Sequence, residues 1–236
     1  LVCLVGSEMC IRDSILSSSL GSGETTLLKI TSAYGSFVNG GKKINPTLID
    51  LIQDRSGKTI YKNNKLFCLG CKDEFKTINP PVIEDRYKRV FNEDVSYQMV
   101  NILKGVIERG TGKELKELKL EIAGKTGTTN ENLDAWFIGF TPELLVGVYI
   151  GFDEPSTLGK KETGSKAALP VFSDIMKELK PNKFIPFFKS TETVKFSKIN
   201  AKTGKKSFSN KNTINESFKL NTIIDNYNSS QIMKEY

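Results

Sequence analysis

The residues whose types and spacing suit catalysis lie in one short stretch, Ala123–Asn130, which reads AGKTGTTN. The 236 residues of the chain include no histidine. A Ser/His/Asp triad, a Cys/His pair and a histidine-ligated catalytic metal are therefore excluded. Any acyl-transfer chemistry must use a lysine instead, and Lys125, beside the hydroxyl groups of Thr126 and Thr128, is the candidate.

The Lys-Thr-Gly triplet occurs twice, and the surrounding sequence separates the two copies. Lys202-Thr203-Gly204 lies in a polar, lysine-rich segment, where we predict a turn. The first copy is followed by two apolar runs, at 135–140 and 145–152, that are rich in aromatic and β-branched residues. Such runs are typical of buried strands. We therefore predict three sequential antiparallel strands from about 121 to 152, the first carrying Lys125 to Thr128.

The letters Gly124-Lys125-Thr126 also resemble the end of a phosphate-binding P-loop. That motif needs a glycine five positions before Gly124, and Lys119 occupies that position. The spacing excludes a nucleotide cradle.

Helical periodicity is found on both sides of the predicted strands. It predicts helices over 25–39, from about Asn92 to Gly110, and over about 167–179. The second of these helices is expected to bury Val95, Met99, Ile102, Leu103 and Val106. A hairpin is predicted around Arg55-Ser56-Gly57. Helices packed on an antiparallel sheet give an α+β fold.

From Leu20 to about Lys177 the chain resembles the C-terminal part of the transpeptidase domain of class A (bifunctional) penicillin-binding proteins. Lys-Thr-Gly is the third signature element of this family and of the serine β-lactamases. The other similar blocks occur in the family's order. They are Leu20–Leu27, Arg109–Gly112, Asp134–Pro142 and Glu162–Ala168.

The resemblance implies the penicillin-binding protein and serine β-lactamase-like fold, incomplete at the N-terminus. It also implies peptidoglycan cross-linking by D-alanyl-D-alanine transpeptidation through an acyl-serine intermediate. Lys125 and Thr128 would be catalytic, with the Thr128 N–H as half of an oxyanion hole. Thr126, Gly127 and Thr128 would bind substrate: the hydroxyls would bond its carboxylate, and Gly127 would leave room for it beside the strand.

Partners and location follow from the same resemblance. Peptidoglycan stem peptides, of lipid II or nascent glycan, are the expected substrates, and β-lactams are the expected inhibitors. No cofactor, metal or nucleic acid is expected. The expected location is extracytoplasmic, at the periplasmic face of the inner membrane, with a membrane anchor upstream. A D,D-carboxypeptidase, a serine β-lactamase or a non-catalytic cell-wall binding module are the alternatives, and the Leu20–Leu27 block favours the bifunctional synthase.

Three segments are expected along the chain. Residues 1–14 resemble translated adaptor sequence and are interpreted as a non-native leader. Residues 15–180 are interpreted as the C-terminal portion of the transpeptidase domain, and 181–236 as a Lys/Asn-rich extension. The family's Ser-x-x-Lys and Ser-x-Asn elements are not found in the required place upstream of the Leu20–Leu27 block. The isolated chain is therefore expected to be an inactive fragment.

The formal net charge of +7 is concentrated in the last segment, because ten lysines and four acidic residues follow Pro181. Aromatic interleaving and known RNA or DNA motifs are absent from this segment. We therefore predict a loosely packed, solvated extension rather than a nucleic-acid-binding surface.

The cysteines outside the leader are Cys68 and Cys71. A single Cys-x-x-Cys is half of a zinc site, and the sequence offers no second half. A small disulfide between Cys68 and Cys71 is the favoured interpretation in an extracytoplasmic domain, with free thiols and a redox-active pair as alternatives.

Overall fold

The computed structural model describes residue 23 and residues 25–63, 66–69, 82–85, 87–181, 192–207 and 212–222. Three α-helices occur among these residues: α1 (Leu27–Val38), α2 (Glu93–Arg109) and α3 (Leu169–Leu179). The strands are β1 (Leu51–Gln53), β2 (Thr59–Lys62), β3 (Leu66–Leu69), β4 (Val82–Asp85), β5 (Ala123–Thr128), β6 (Ala135–Phe140), β7 (Leu145–Ile150), β8 (Val194–Asn200) and β9 (Thr213–Lys219).

The central element is an antiparallel sheet in which β6 lies between β5 and β7. Lys125 pairs with Ile138 on β6, and Ile138 pairs in turn with Gly147 on β7. The three-stranded meander predicted from the apolar runs is confirmed. The predicted hairpin around Arg55-Ser56-Gly57 is also confirmed, as the antiparallel pair β1 and β2.

The two faces of this sheet bury separate cores, because successive side chains of a strand point to opposite faces. On one face, Ala123 and Phe140 pack with Val100 and Leu103 of α2, and α1 adds partly buried aromatic residues. The opposite face carries a larger core formed with α3 and with the chain that follows α2. Its buried members are Ile107, Leu115, Ile122, Ala135, Phe137, Val148, Ala168, Leu169, Phe172 and Met176.

Helix α1 forms where the sequence predicts a helix, and its first turn is capped. The Thr26 hydroxyl accepts a hydrogen bond from the backbone N–H of Lys29 (3.3 Å), which satisfies one donor that the helix start leaves unpaired. Helix α3 also lies in its predicted range, and a π-helical turn over Gly164–Ala168 leads into it.

The expected buried face of α2 is wrong in detail. Leu103 is buried, as expected, but Ile102 is 56% exposed. The other buried positions of α2 include Ser96, Val100 and Ile107, which were not expected. Three other residues expected to be buried, namely Val95, Met99 and Val106, are half-buried. The small residue Ser96 lies in the buried face, so apolar side chains alone do not reveal where that face is centred.

The described part of the C-terminal segment is not loosely packed. Strands β8 and β9 pair antiparallel along their full length, and the hairpin packs on α2. The side chain of Gln98 donates to the Ser217 carbonyl (3.1 Å), and the rings of Tyr97 and Phe196 meet edge to face. The hairpin is held by a hydrogen bond and by one pair of aromatic rings, not by a run of apolar residues. The composition of the segment therefore does not reveal that it packs on α2.

An ion pair also joins the hairpin to the first turn of α2. Lys219 Nζ lies 3.2 Å from Asp94 Oδ2. Desolvation of Asp94 acts to raise the pKa of its carboxyl, but the hydrogen bonds from Lys219 and from the Val95 N–H outweigh it. The pKa of Asp94 is therefore held below its ordinary value. Among the described residues, no helix is both long enough and apolar enough to cross a membrane.

We expect Phe172→Ala to destabilise the fold strongly. Phe172 is fully buried, and its ring packs edge to face on Phe137 with centroids 4.8 Å apart. Removing such a ring leaves a cavity and typically costs about 3–5 kcal/mol. Urea unfolding followed by circular dichroism measures the loss. The matched control is Val171→Ala on the same helix, where Val171 is 42% exposed. Its cost is expected to be below about 1 kcal/mol, and equal losses in the two variants would contradict the assigned core.

Candidate active site

Strand β5 carries the Lys-Thr-Gly-Thr sequence from the protein interior to the surface. Its first two residues, Ala123 and Gly124, are buried, whereas Lys125 and Thr128 are exposed. Among the described residues, β5 pairs with β6 alone, so it forms one edge of the sheet. The candidate residues therefore lie along an open strand edge, where backbone groups are available to a ligand.

The Lys125 ammonium group folds back along this edge. Its Nζ donates a hydrogen bond to the carbonyl oxygen of Thr126 (2.6 Å), the only hydrogen-bond partner it has within the described part of the chain. This contact indicates that the Thr126 carbonyl points away from β6. In an antiparallel pair, backbone groups alternate between the partner strand and the open side. The N–H and C=O groups of Thr128, two residues later, accordingly point to the same open side.

The hydroxyl groups of Thr126 and Thr128 both have partners from other parts of the chain. Thr126 Oγ1 lies 2.9 Å from Oγ1 of Thr111, which is in the turn after α2. Thr128 Oγ1 accepts a hydrogen bond from the backbone N–H of Gly164 (3.0 Å), at the start of the helical segment that leads into α3. The contacts hold both side chains in place beside the strand edge.

Gly164 fits this position because it has no side chain. A Cβ atom there would lie 2.5 Å from the carbonyl oxygens of both Gly127 and Trp136. Backbone atoms cannot move aside cheaply, so a larger residue would push the helical segment away from β5. The sequence blocks Arg109–Gly112 and Glu162–Ala168 contain Thr111 and Gly164. Both blocks carry the family resemblance, but neither Thr111 nor Gly164 has a sequence signature that places it beside the site.

On the other face of β5, Gly127 lies opposite Trp136. A Cβ on Gly127 would come within 3.1 Å of the Trp136 Cβ, so the tryptophan limits the space on this face. Trp136 is half-buried and packs on Tyr149, with ring centroids 4.6 Å apart. The Tyr149 hydroxyl donates to Asp134 (2.9 Å), and this hydrogen bond raises the pKa of the phenol above its ordinary value.

The second Lys-Thr-Gly copy is a turn, as the sequence predicts. The side chain of Asn200 accepts hydrogen bonds from the backbone N–H groups of Lys202 (2.9 Å) and Thr203 (3.2 Å). Gly204 follows with a φ of +67°, a conformation that suits glycine. The two copies therefore have the same letters and different structures, a strand edge and a hairpin turn.

Cys68, on β3, is disulfide-bonded. Its predicted partner, Cys71, lies outside the described residues, so the pairing between them stays a prediction. The described residues contain no group of three or more Cys, Asp or Glu side chains arranged to hold a metal ion.

Comparison with known proteins relates this geometry to a family. A family model described as the penicillin binding protein transpeptidase domain matches residues 6–177. The match begins inside the segment 1–14 that was interpreted as a leader. That segment lies outside the described residues, so its interpretation stays a prediction.

The relatives agree with the family match. Penicillin-binding protein 1A of Rickettsia conorii is 41% identical over 212 residues, which are 89% of this chain and 27% of that protein. The crystal structure of penicillin-binding protein 1A from Haemophilus influenzae superposes with a TM-score of 0.72 at 28% identity, over 87% of this chain and 33% of that one. The chain thus spans roughly a quarter to a third of the length of these relatives.

A more distant structure shows the same fold. The PonA1 protein of Mycobacterium tuberculosis, solved in complex with penicillin V, superposes with a TM-score of 0.55 at 21% identity. That superposition covers 75% of this chain and 44% of the chain in that structure. With its α+β architecture, its match over residues 6–177 and its similarity to penicillin-binding proteins 1A, the chain belongs to the penicillin-binding protein transpeptidase family.

Proposed function

We propose that the full-length protein cross-links peptidoglycan by D-alanyl-D-alanine transpeptidation, and that this chain supplies one wall of the active site. The observation that carries the proposal is the open edge of β5, where Lys125 and Thr128 are exposed and the backbone of Thr126 and Thr128 faces away from β6. An open strand edge suits an extended peptide, which can add to the sheet as a further strand.

The proposed reaction has two acyl transfers. A serine hydroxyl attacks the carbonyl carbon between the two D-alanines of a stem peptide, and the amide bond breaks. The leaving nitrogen takes up the proton that the serine hydroxyl loses, so the terminal D-alanine departs with a free amino group and the stem is held as an acyl ester on the serine. An amine of a second stem then attacks the ester, which forms the cross-link and frees the serine. The serine and its partner lysine belong to the Ser-x-x-Lys element of the family.

In this proposal the residues of β5 act on the substrate's charges. The Lys125 ammonium is a compact point charge that attracts the terminal carboxylate and takes part in proton transfer. The hydroxyls of Thr126 and Thr128 donate to the same carboxylate. The Thr128 N–H, on the open side of the strand, stabilises the oxyanion that develops when the serine attacks.

Two alternatives to transpeptidation remain within the serine class, a D,D-carboxypeptidase and a serine β-lactamase. They would use water, rather than a second stem, as the acceptor. The similarity to penicillin-binding proteins 1A supports transpeptidation over these two alternatives. The third alternative is a non-catalytic binding module, and the match of residues 6–177 to a transpeptidase family model favours an enzyme over it.

The proposed location is extracytoplasmic, at the periplasmic face of the inner membrane. Cell-wall cross-linking takes place outside the cytoplasm, and the relatives are penicillin-binding proteins. The disulfide at Cys68 supports this location, because disulfides persist in oxidising compartments.

In the full-length protein, Lys125→Ala is expected to slow acylation by a β-lactam by roughly a hundredfold or more, because a preorganised charge at the site is lost. Lys125→Arg should restore the rate only in part, since the planar guanidinium is larger than the ammonium. The measurement is the second-order acylation constant for one β-lactam, with the melting temperature as a check on folding.

The chain contains its own matched control for this experiment. Lys202 belongs to the other Lys-Thr-Gly copy, which forms a turn in the β8–β9 hairpin. The β-lactam is expected to acylate the Lys202→Ala variant at the same rate as the wild-type protein. A wild-type rate in Lys125→Ala, or a slow rate in Lys202→Ala, would show that β5 is not the active-site strand.

The 236-residue chain by itself is expected not to form a covalent adduct with penicillin. Acylation needs a serine activated by a neighbouring base, and the sequence Ser-x-x-Lys occurs nowhere in these residues. Incubation with a fluorescent penicillin, followed by denaturing electrophoresis, should give no labelled band from the chain and a band from the full-length protein. A stable band from the chain would identify a different nucleophile.

A further inference from the structure

The turn that follows α2 contacts the candidate site directly. It comprises Gly110, Thr111 and Gly112, and the backbone N–H groups of both glycines donate to the carbonyl of Val106 (3.1 and 3.0 Å). These two hydrogen bonds hold the segment Gly110–Gly112 against the C-terminal end of α2. Thr111 is exposed, and its Oγ1 lies 2.9 Å from Thr126 Oγ1.

When Thr126 binds an anion, only one of the two threonines is able to donate the hydrogen in the Thr111–Thr126 hydrogen bond. A threonine hydroxyl has one hydrogen to donate and two lone pairs to accept with, whereas a carboxylate only accepts. If Thr126 donates its hydrogen to a carboxylate, the hydrogen in the Thr111–Thr126 contact must come from Thr111. Thr111 then satisfies the Thr126 oxygen and leaves the Thr126 hydrogen for the ligand.

Thr128 has the same arrangement with a donor of fixed direction. The Gly164 N–H can only donate, so its bond to Thr128 Oγ1 leaves the Thr128 hydrogen free. Both hydroxyls of β5 thus have a hydrogen-bond partner on a neighbouring element: the Gly164 N–H donates to Thr128, and the Thr111 hydroxyl is able to donate to Thr126. The parallel supports a shared role for the two contacts.

The end of α2, two residues before Thr111, is bonded to the β8–β9 hairpin. Arg109, the last residue of α2, forms a hydrogen-bonded ion pair with Glu216 of β9. The Glu216 side chain is only 14% exposed and also accepts a hydrogen bond from Asn101 (3.1 Å). A partly buried carboxylate with two partners on one helix holds that end of the helix firmly.

We propose that Thr111 is a positioning residue for substrate recognition, and that the Glu216–Arg109 pair holds Thr111 in place. Thr111 acts through Thr126, whose hydroxyl it directs toward the carboxylate of the stem peptide or of a β-lactam. The inference rests on the proposed function, because it assigns a partner to a hydroxyl of that site. It gives the C-terminal hairpin a role in binding the anionic group of the ligand.

The test uses the full-length protein and the variants Thr111→Val and Thr111→Ser. Valine has the shape of threonine without the hydroxyl, and serine keeps the hydroxyl. The probes are one penicillin and its methyl ester, which differ in the carboxylate charge. For each variant and probe, the dissociation constant of the initial complex and the rate of acylation within it are measured separately.

Thr111→Val is expected to weaken the initial complex with the free acid roughly threefold to tenfold, the range for one hydrogen bond. The acylation rate within the complex and the constants for the ester should change little, and Thr111→Ser should bind like wild type. A purely structural role for Thr111 would affect the acid and the ester alike. That outcome, or unchanged binding of the acid in Thr111→Val, would overturn the proposal.

The hairpin's part is tested with two matched variants, each of which neutralises one carboxylate in a hairpin–α2 ion pair. Glu216→Gln alters the pair at the end of α2 that carries Thr111, and Asp94→Asn alters the pair with Lys219 at the opposite end. Only Glu216→Gln should weaken binding of the free acid relative to the ester. Equal effects on that ratio would overturn the role given to Glu216.

The experiments give different results if only the role of Thr111 is wrong than if the proposed function itself is wrong. If the wild-type full-length protein is not acylated by the penicillin, the proposed function is wrong and the inference falls with it. If the wild type is acylated and Lys125→Ala is slow, but Thr111→Val retains the wild-type preference for the acid over the ester, the function stands and the inference is wrong.

Discussion

The candidate site depends on one constraint, that β5 is paired on one side only in the part of the chain that the structure describes. Pairing with β6 fixes the strand, and Ile122 and Ala123 at its start are buried in the cores on the two faces of the sheet. The unpaired side leaves backbone groups of Thr126 and Thr128 available to a ligand. An exposed edge is a liability for most sheets, and in the proposed function it is the feature that lets the Lys-Thr-Gly-Thr sequence bind a substrate.

The neighbouring elements matter because they determine how that edge is presented. The turn after α2 brings Thr111 to Thr126, and the helical segment before α3 brings the Gly164 N–H to Thr128. Each hydroxyl oxygen therefore has a partner that holds its side chain in place before a ligand arrives, which lowers the entropy that binding must overcome. Elements from two separate parts of the sequence thus converge on one strand. The β8–β9 hairpin extends this support, because Glu216 holds the end of α2.

Features with a local signature could be predicted from the sequence, and long-range polar contacts could not. Continuous apolar runs and turn residues gave the three strands, and the neighbouring residues distinguished Lys125 from Lys202. The packing of β9 on α2 was missed, because a residue such as Glu216 in a lysine-rich segment looks like any solvated charge. Thr111 was missed for a similar reason: an exposed threonine in a turn has no periodic pattern, and only the folded chain brings it to Thr126.

The most direct test of the account is a structure of the full-length protein after acylation by a penicillin. The acyl group should lie along the open edge of β5. The carboxylate should be about 3 Å from the hydroxyl oxygens of Thr126 and Thr128, and the ester carbonyl oxygen should accept a hydrogen bond from the Thr128 N–H. An acyl group bound elsewhere, with the edge of β5 empty or covered by another strand of the protein, would contradict it.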